Sequence, residues 1–232
     1  YEQITPPVVS PRDYALRFTL ERTEHTCIVK YVTAPELAPA LPKFEDWSNL
    51  AARATRLTGE KALPAVKQFV EDGGTLIAMG GEVEKVIRHF NLPVKVGTWV
   101  PDATAEGGER RTLRDEFYVP GSLLAIEVDT SHAIARGASH ELAAMVDAGS
   151  AILEVTDKNA KIDVVARYRG MDTLVSGWAI GQEYLVGKAA ALCAHVGKGR
   201  IVLFGADVTY RGQPLGTEKL LFSAILSAGA VK

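Results

Sequence analysis

The segment Gly73–Ile87, GGTLIAMGGEVEKVI, decides the fold of this 232-residue chain. A pair of glycines leads into the short apolar run Thr75–Met79, which indicates a buried strand, and a second pair leads into a segment with helical spacing. Many enzymes hold a nucleophile or a phosphate where a strand turns through glycine into a helix. This turn therefore predicts one of two things: a site that holds a reactive group, or the backbone of such a site with no reactive group in it.

The sequence on both sides of this segment predicts an α/β fold. Upstream, residues 60–72 place apolar side chains on one helical face, and downstream residues 81–90 resume helical spacing. Several β-rich runs follow between residues 122 and 205, and a last helix is predicted over 216–229. Helix, strand and helix at short range are typical of a parallel sheet with helices on its faces.

The last helix is predicted to be deeply packed, because its apolar residues occupy nearly every side. Thr217 is expected to be its N-cap. The residues expected to face the sheet recur at helical spacing: Leu221, Ala224, Ile225 and Ala228.

The chain is predicted to have two parts. Residues 1–58 form an N-terminal extension with the first strands, at 13–20 and 26–32, and their topology stays open. Short helical pieces and loop are expected over 33–59 because prolines interrupt an alanine-rich run. Residues 59–232 form the α/β domain, and one compact body overall is expected.

The composition excludes two classes of partner. The net charge of −2 is well mixed along the chain, which argues against nucleic acid and anionic membranes. No apolar run approaches the roughly 18–20 residues of a membrane span. Cys27 and Cys193 form no C-x-x-C motif, so both free thiols and a disulfide stay open, with free thiols favoured. The cellular compartment is therefore undetermined from composition.

The glycine turn contains no nucleophilic side chain. Its residues are Met79, Gly80 and Gly81, and neither a G-x-G-x-x-G nor a P-loop motif is present. Glu82 follows, and its charge would repel an anion at the start of the helix while suiting the helix dipole. We therefore interpret the turn as kept small for close packing, and we expect Met79 to be buried.

Metal and thiol chemistry have few candidates. The five histidines begin no H-x-x-E pair, whereas a zinc site needs three or four converging ligands, so no metal site is expected. Cys193 and His195 stand two positions apart on a predicted strand and share a face. The histidine could activate the thiol, or both residues could be buried parts of the core.

A loop near the C-terminus supplies candidate binding residues. Asp207, Tyr210 and Arg211 stand together after a predicted strand, where binding residues commonly lie. Alternatively, Asp207 and Arg211 fasten the loop by hydrogen bonds. A pocket at this end of the strands could also use Glu82 and Trp178.

Four separated segments resemble the C-terminal, amidotransferase-like domain of bacterial zinc carboxypeptidases. They are AVKQFVEDGGTLIAMGG (65–81), EFYVPGSLLAIEVD (116–129), LVSGWAIGQEYLVGKAAALCAHVGKGRIVLFG (174–205) and YRGQPLGTEKLLFSAI (210–225). The resemblance implies a class I glutamine amidotransferase-like, flavodoxin-like fold. Such a fold is a layered sheet with helices on both faces, here with additional strands.

The resemblance does not carry catalytic residues over to this chain. Active glutamine amidotransferases have a cysteine at the turn that is Met79–Gly80–Gly81 here, and the zinc ligands of the peptidases lie in a separate N-terminal domain. The resemblance thus implies a non-catalytic accessory or interaction domain of a zinc carboxypeptidase-like protein. No cofactor is expected in this chain, and zinc is expected only in the separate catalytic domain.

The same resemblance implies partners and a location. The expected partner is the catalytic peptidase domain of the same parent chain, a homodimer is a further option, and export from the cytoplasm is usual for the family. Two other hypotheses stay open: a stand-alone module that binds a small molecule or sugar, and a thiol hydrolase that uses Cys193 with His195.

Overall fold

The computed structural model describes residues 3–4, 16–22, 27–33, 62–212 and 214–228. The chain forms two compact units, Tyr1–Arg56 and Leu57–Lys232. In the first unit three antiparallel strands lie in the order β1 (Gln3–Ile4), β2 (Leu16–Arg22) and β3 (Cys27–Thr33). The two predicted strands are thus confirmed as antiparallel partners. The helical pieces predicted over 33–59 fall almost wholly outside the described residues.

The second unit combines helices and strands. Its helices are α1 (Ala62–Glu71), α2 (Glu82–His89) and α3 (Leu215–Ala228). Its strands are β4 (Thr75–Met79), β5 (Val94–Val96), β6 (Trp99–Pro101), β7 (Glu109–Arg111), β8 (Ser122–Val128), β9 (Glu141–Val146), β10 (Leu153–Val155), β11 (Ile162–Tyr168), β12 (Leu174–Ser176), β13 (Ala189–Val196) and β14 (Gly199–Phe204). Within the described residues no helix is long and apolar enough to cross a membrane.

The main sheet has nine strands and is mixed. Strand β13 lies at its centre and pairs antiparallel with β10, β11 and β14, while β8 pairs with β9, β11 and β12. The pair β4–β14 is parallel, and every other strand pair in the described part of the chain is antiparallel. The predicted α/β class is confirmed, but the sheet is not the parallel one expected, because short turns such as Gly197–Lys198 join later strands as antiparallel neighbours.

Side chains alternate between two apolar layers on the faces of this sheet. In β14, Ile201 and Leu203 join one core with Val70 of α1 and with residues of α2. Val202 and Phe204, which point to the other face, join a second core with residues of α3. Helices therefore cover both faces, and strands buried on both sides read as continuous apolar runs such as TLIAM and RIVLF.

Helix α3 packs through a face that partly matches the predicted one, because Ala224 is buried and Leu221 packs against the core as expected. Thr217, Leu220 and Ala224 are fully buried, whereas Ile225 is 52% exposed, so its predicted burial is wrong. Thr217 lies inside the helix rather than at its N-cap, and its hydroxyl donates to the Val208 carbonyl at 2.9 Å. Because this helix is apolar on nearly every side, its periodicity could not select the buried face.

Candidate functional site

The glycine turn after β4 leads from a strand directly into a helix, the arrangement in which a nucleophile elbow is found. Gly80 is in the left-handed region with φ +58°, and its N–H donates to the Phe204 carbonyl at 3.0 Å. Its own carbonyl accepts from the Val83 N–H at 3.1 Å, and Gly81 is the N-cap of α2. The chain thus turns from strand to helix at Gly80, where an elbow enzyme holds its nucleophile, and glycine supplies no reactive atom.

Met79 is exposed at the end of β4, so its predicted burial is wrong. Its side chain is 41% exposed, while Ala78 before it is 6% exposed. Successive side chains of a strand point to opposite faces, and Met79 is the last residue before the chain leaves the sheet. Its apolar neighbours in sequence predicted a core position, but the end of the strand lies at the edge of a cavity.

A cavity of about 290 Å³ opens at the carboxyl ends of β4 and β14. Its lining residues are Met79, Gly80, Asp147, Gly149, Ser150, Asp207 and Thr209. Asp207 Oδ1 accepts from the Thr209 N–H at 3.0 Å, and Asp147 Oδ1 accepts from the Gly149 N–H at 2.8 Å and from Ser150 Oγ at 3.1 Å. Each carboxylate thus fixes its own loop and borders the cavity.

A larger cavity of about 380 Å³ adjoins the first, since Asp147, Gly149 and Ser150 line both. The start of α2, the β5–β6 turn, residues 111–119 and residues 146–152 form its walls. Thr98 Oγ1 lies 2.5 Å from Thr112 Oγ1, and the Arg111 guanidinium lies 3.5 Å from Glu84 Oε1. Its lining mixes hydroxyls and charged groups with apolar side chains, as in small-molecule sites.

One wall of the larger cavity is held by an ion pair. Arg110 donates to both carboxylate oxygens of Glu116 at 2.7 Å, and the Leu113 N–H donates to Glu116 Oε2 at 2.7 Å. These hydrogen bonds, that of Arg110 first, lower the pKa of Glu116 to about 2. The polar excursion over 98–121 is thereby fixed beside the site.

The structure brings together only some of the residues proposed from the sequence. Asp207 joins Met79, Gly80 and Gly81 around the two cavities. Glu82 is instead paired with Lys85 at 2.9 Å on the exposed side of α2.

The loop residues after Asp207 also lie apart from the cavities. Tyr210 and Arg211 line neither one; the Arg211 guanidinium lies 5.0 Å from the centre of the Tyr210 ring. Asp207 fastens its loop through Thr209, and no bond to Arg211 is present in the described part of the chain.

Trp178 reaches the larger cavity through a neighbour. Its ring, 53% exposed, lies edge-on to the ring of Tyr118 with the centroids 5.7 Å apart, and Tyr118 lines the cavity. The Ser122 hydroxyl accepts from the Trp178 N–H at 2.9 Å and donates to the Trp178 carbonyl at 2.7 Å. The backbone that carries the indole is therefore held in a fixed position beside the cavity.

Cys193 and His195 share a face of β13, as expected, but only the histidine is accessible. Cys193 is a fully buried free thiol, and burial raises the pKa of the Cys193 thiol to about 11. His195 Nε2 lies 2.8 Å from Asp163 Oδ2. At neutral pH the thiol is protonated, which does not favour the thiol-hydrolase hypothesis.

A second histidine, His132, approaches the same carboxylate without making a metal site. Its Nε2 lies 3.5 Å from Asp163 Oδ2, and its Nδ1 accepts from the Ile134 N–H at 3.2 Å. A neutral His132 therefore carries its proton on Nε2, the atom that would have to bind a metal. Within the described ranges no three His, Cys, Asp or Glu side chains are grouped to hold a metal ion.

The sequence analysis missed several residues that line the cavities. They are Glu84, Thr98, Arg111, Asp147, Ser150 and Thr209. The DAGS run at 147–150 carried a usable signal, because short polar side chains directly after an apolar strand favour turns and binding loops. Glu84 and Arg111 gave no such signal, since their meeting depends on how the 98–121 excursion folds back.

No protein-family model and no curated protein matches the chain. Among solved structures, it is similar to the cytoplasmic protein STM3548 from Salmonella typhimurium at 12% identity, covering 92% of this chain and 95% of that one, with a TM-score of 0.40. A GMP synthase subunit-like protein from Thermoplasma acidophilum gives 10% identity, 73% and 65% coverage, and a TM-score of 0.42. The chain is also similar to the β-galactosidase from Bacillus circulans sp. alkalophilus at 13% identity, covering 75% of this chain and 21% of that one, with a TM-score of 0.41. At these TM-scores the likenesses carry no conclusion about this chain.

Proposed function

We propose that the Leu57–Lys232 unit is a non-catalytic, amidotransferase-like domain that binds a small ligand beside an elbow without a nucleophile. The observation that carries the proposal is Gly80, which stands at the elbow with φ +58° and offers no reactive atom. Ser150, whose side chain lines both cavities, is a candidate nucleophile, but its hydroxyl donates a hydrogen bond to Asp147. No histidine among the described residues lines either of these cavities to act as its base. A serine without a base is a weak nucleophile, so binding is the function that this site supports.

The adjoining cavities support ligand binding. Their volumes of about 380 and 290 Å³ suit small molecules, and they lie at the carboxyl ends of the parallel pair β4–β14. In open parallel α/β sheets ligands bind at that end of the strands, and β4–β14 is the parallel pair of this sheet. Flavodoxin-like layering of the sheet and its helices is part of the same proposal.

The parent protein is proposed from the sequence resemblance alone. In that proposal the chain is an accessory domain of an exported zinc carboxypeptidase-like protein and packs on its catalytic domain, which holds the zinc. A stand-alone binding module is the second candidate, favoured by the cavities. The complete reading frame decides between the two, because an accessory domain requires an upstream H-x-x-E and a later histidine.

The test is an assay of ammonia release from glutamine with the wild-type chain and with Gly80→Cys. We expect neither to release ammonia, because no histidine of the described residues lies at the elbow to activate a thiol. Met79→Cys is the matched control, since it places a thiol one residue away. Glutamine hydrolysis by the wild-type chain, or by Gly80→Cys alone, would overturn the non-catalytic assignment.

A further inference from the structure

The exposed indole of Trp178 stands on a backbone segment that is fixed in place. Both polar groups of its backbone bond to the Ser122 hydroxyl, and Ser122 is itself 2% exposed. Gly177 before it has φ +100°, and a Cβ there would lie 2.5 Å from Ser122 Oγ. The backbone beneath this ring is therefore already ordered, so a ligand that covers the ring does not have to order that segment, which lowers the entropy cost of binding.

Tyr118 joins the Trp178 ring to the larger cavity and is fixed as well. Its N–H donates to the Ile180 carbonyl at 3.2 Å, and its carbonyl accepts from the Ile180 N–H at 2.9 Å. The Arg114 guanidinium lies 4.2 Å from the centre of the Tyr118 ring and donates to its hydroxyl at 2.5 Å. An aromatic pair with a charged donor thus stands beside the cavity.

The lining of the larger cavity favours an uncharged ligand rich in hydroxyl groups. Glu84 and Asp147 supply carboxylate acceptors, and the guanidinium of Arg111 already lies beside Glu84. Helix α2 begins with two glutamates at this place, so a phosphate would meet like charge. A purely apolar ligand would leave the hydroxyls and carboxylates of the walls without water or partners, at a cost in affinity.

We infer that the larger cavity and Trp178 together form a carbohydrate-binding site. A sugar ring stacks its C–H face on the indole of Trp178, and the sugar hydroxyls bond to Asp147 and Ser150 in the cavity and to Arg114 beside it. In such sites an aromatic ring packs against the apolar face of the ligand, and the polar groups around the ring fix the orientation of the ligand. This inference rests on the proposed binding function and names its ligand class.

The test is calorimetric titration of the full chain with methyl glucoside, methyl galactoside, N-acetylglucosamine, maltose, cellobiose and lactose. We expect at least one sugar to bind with a Kd between about 10 μM and 10 mM. Trp178→Ala should weaken that binding about tenfold or more, and Trp178→Phe should weaken it less. Phe222→Ala is the matched control, because this residue is 58% exposed on α3 and lines neither cavity.

Each outcome of the titration decides the inference. Binding that is lost in Trp178→Ala and kept in Phe222→Ala supports it. If both variants keep sugar binding, the carbohydrate site at Trp178 is overturned while the proposed binding function stands. The same holds if the wild-type chain binds no sugar but does bind nucleosides or amino acids titrated in parallel. If the wild-type chain binds none of these compounds, both the carbohydrate site and the proposed binding function are overturned, because both depend on the same cavities. Circular dichroism of Trp178→Ala identifies any variant that fails to fold, in which case Arg114→Gln replaces it.

Discussion

The two ends of the parallel pair β4–β14 carry polar groups of different kinds. At the amino end, Arg200 donates to Thr75 Oγ1 at 3.2 Å and to Ser227 Oγ of α3 at 2.9 Å. His195 on the neighbouring strand lies 2.8 Å from Asp163. The polar groups at this end thus bond to one another between β11 and β13 and between β4, β14 and α3, and they border a cavity of about 640 Å³.

At the carboxyl end the polar groups belong to loops. Asp147 and Asp207 bond within their own loops and line the cavities beside Gly80. The backbone at Gly80 has the form of an elbow, but the side chain that would react is missing. The turn at this end therefore offers no nucleophilic side chain of its own.

The two ends therefore combine residue types and cavities differently within one domain. The cysteine, histidines and aspartate that suggest catalysis cluster near the amino end, where Cys193 is buried and its thiol pKa is raised. An open cavity of about 640 Å³ lies beside them, whereas the two cavities beside Gly80 lie at the other end, among residues that no catalytic motif includes. Function therefore has to be argued from the site itself and not from the residue types present in the chain.

The largest change in stability is expected from substitutions at the end of β4, which test where the core ends and the cavity begins. Ala78→Asp should lower the free energy of unfolding by about 4 kcal/mol or more, because it places an unpaired carboxylate at a position that is 6% exposed. Met79→Asp, one residue on and 41% exposed, should change it by no more than about 0.5 kcal/mol. Urea unfolding of both variants measures the difference, and equal destabilisation would show that Met79 is not at the surface.

A smaller effect is expected at the amino end. Arg200→Met should lower the free energy of unfolding by about 1–3 kcal/mol, since it removes two hydrogen bonds that tie β4 and α3 to β14. Arg88→Met is the matched control: this exposed arginine pairs with Glu84 along α2, and its loss should cost no more than about 0.5 kcal/mol. Thermal unfolding compares the two, and similar melting temperatures would mean that the amino end is not a structural junction.

The sequence supports the fold better than it supports the site. The apolar runs of β4 and β14 and the helical spacing of α1 and α2 are local patterns, and all four elements formed. The buried face of α3 could not be predicted, because Ile225 and Leu226 are as apolar as the buried Leu220.

The sequence analysis missed the cavity residues for a different reason. Glu84 and Arg111 are far apart in sequence and meet only because the 98–121 excursion folds back over α2. No periodicity encodes such a meeting, since the excursion is held by ion pairs and turns and not by an apolar pattern.

The smallest expected effect concerns the ion pair that holds this excursion. The pKa of Glu116 is lowered to about 2 from an ordinary value of 4.5, chiefly by the hydrogen bonds from Arg110. A carboxylate with a lowered folded-state pKa contributes stability that is fully present above pH 4.5 and is lost as the pH falls towards 2. Glu116→Gln should therefore reduce the loss of stability between these pH values, without abolishing it, because the pKa values of Asp102 and Asp129 are lowered as well. Urea unfolding at a series of pH values measures the slope, and Glu106→Gln, an exposed acid of the same excursion, should keep the wild-type slope. If Glu116→Gln kept it too, the ion pair with Arg110 would not hold the wall of the larger cavity.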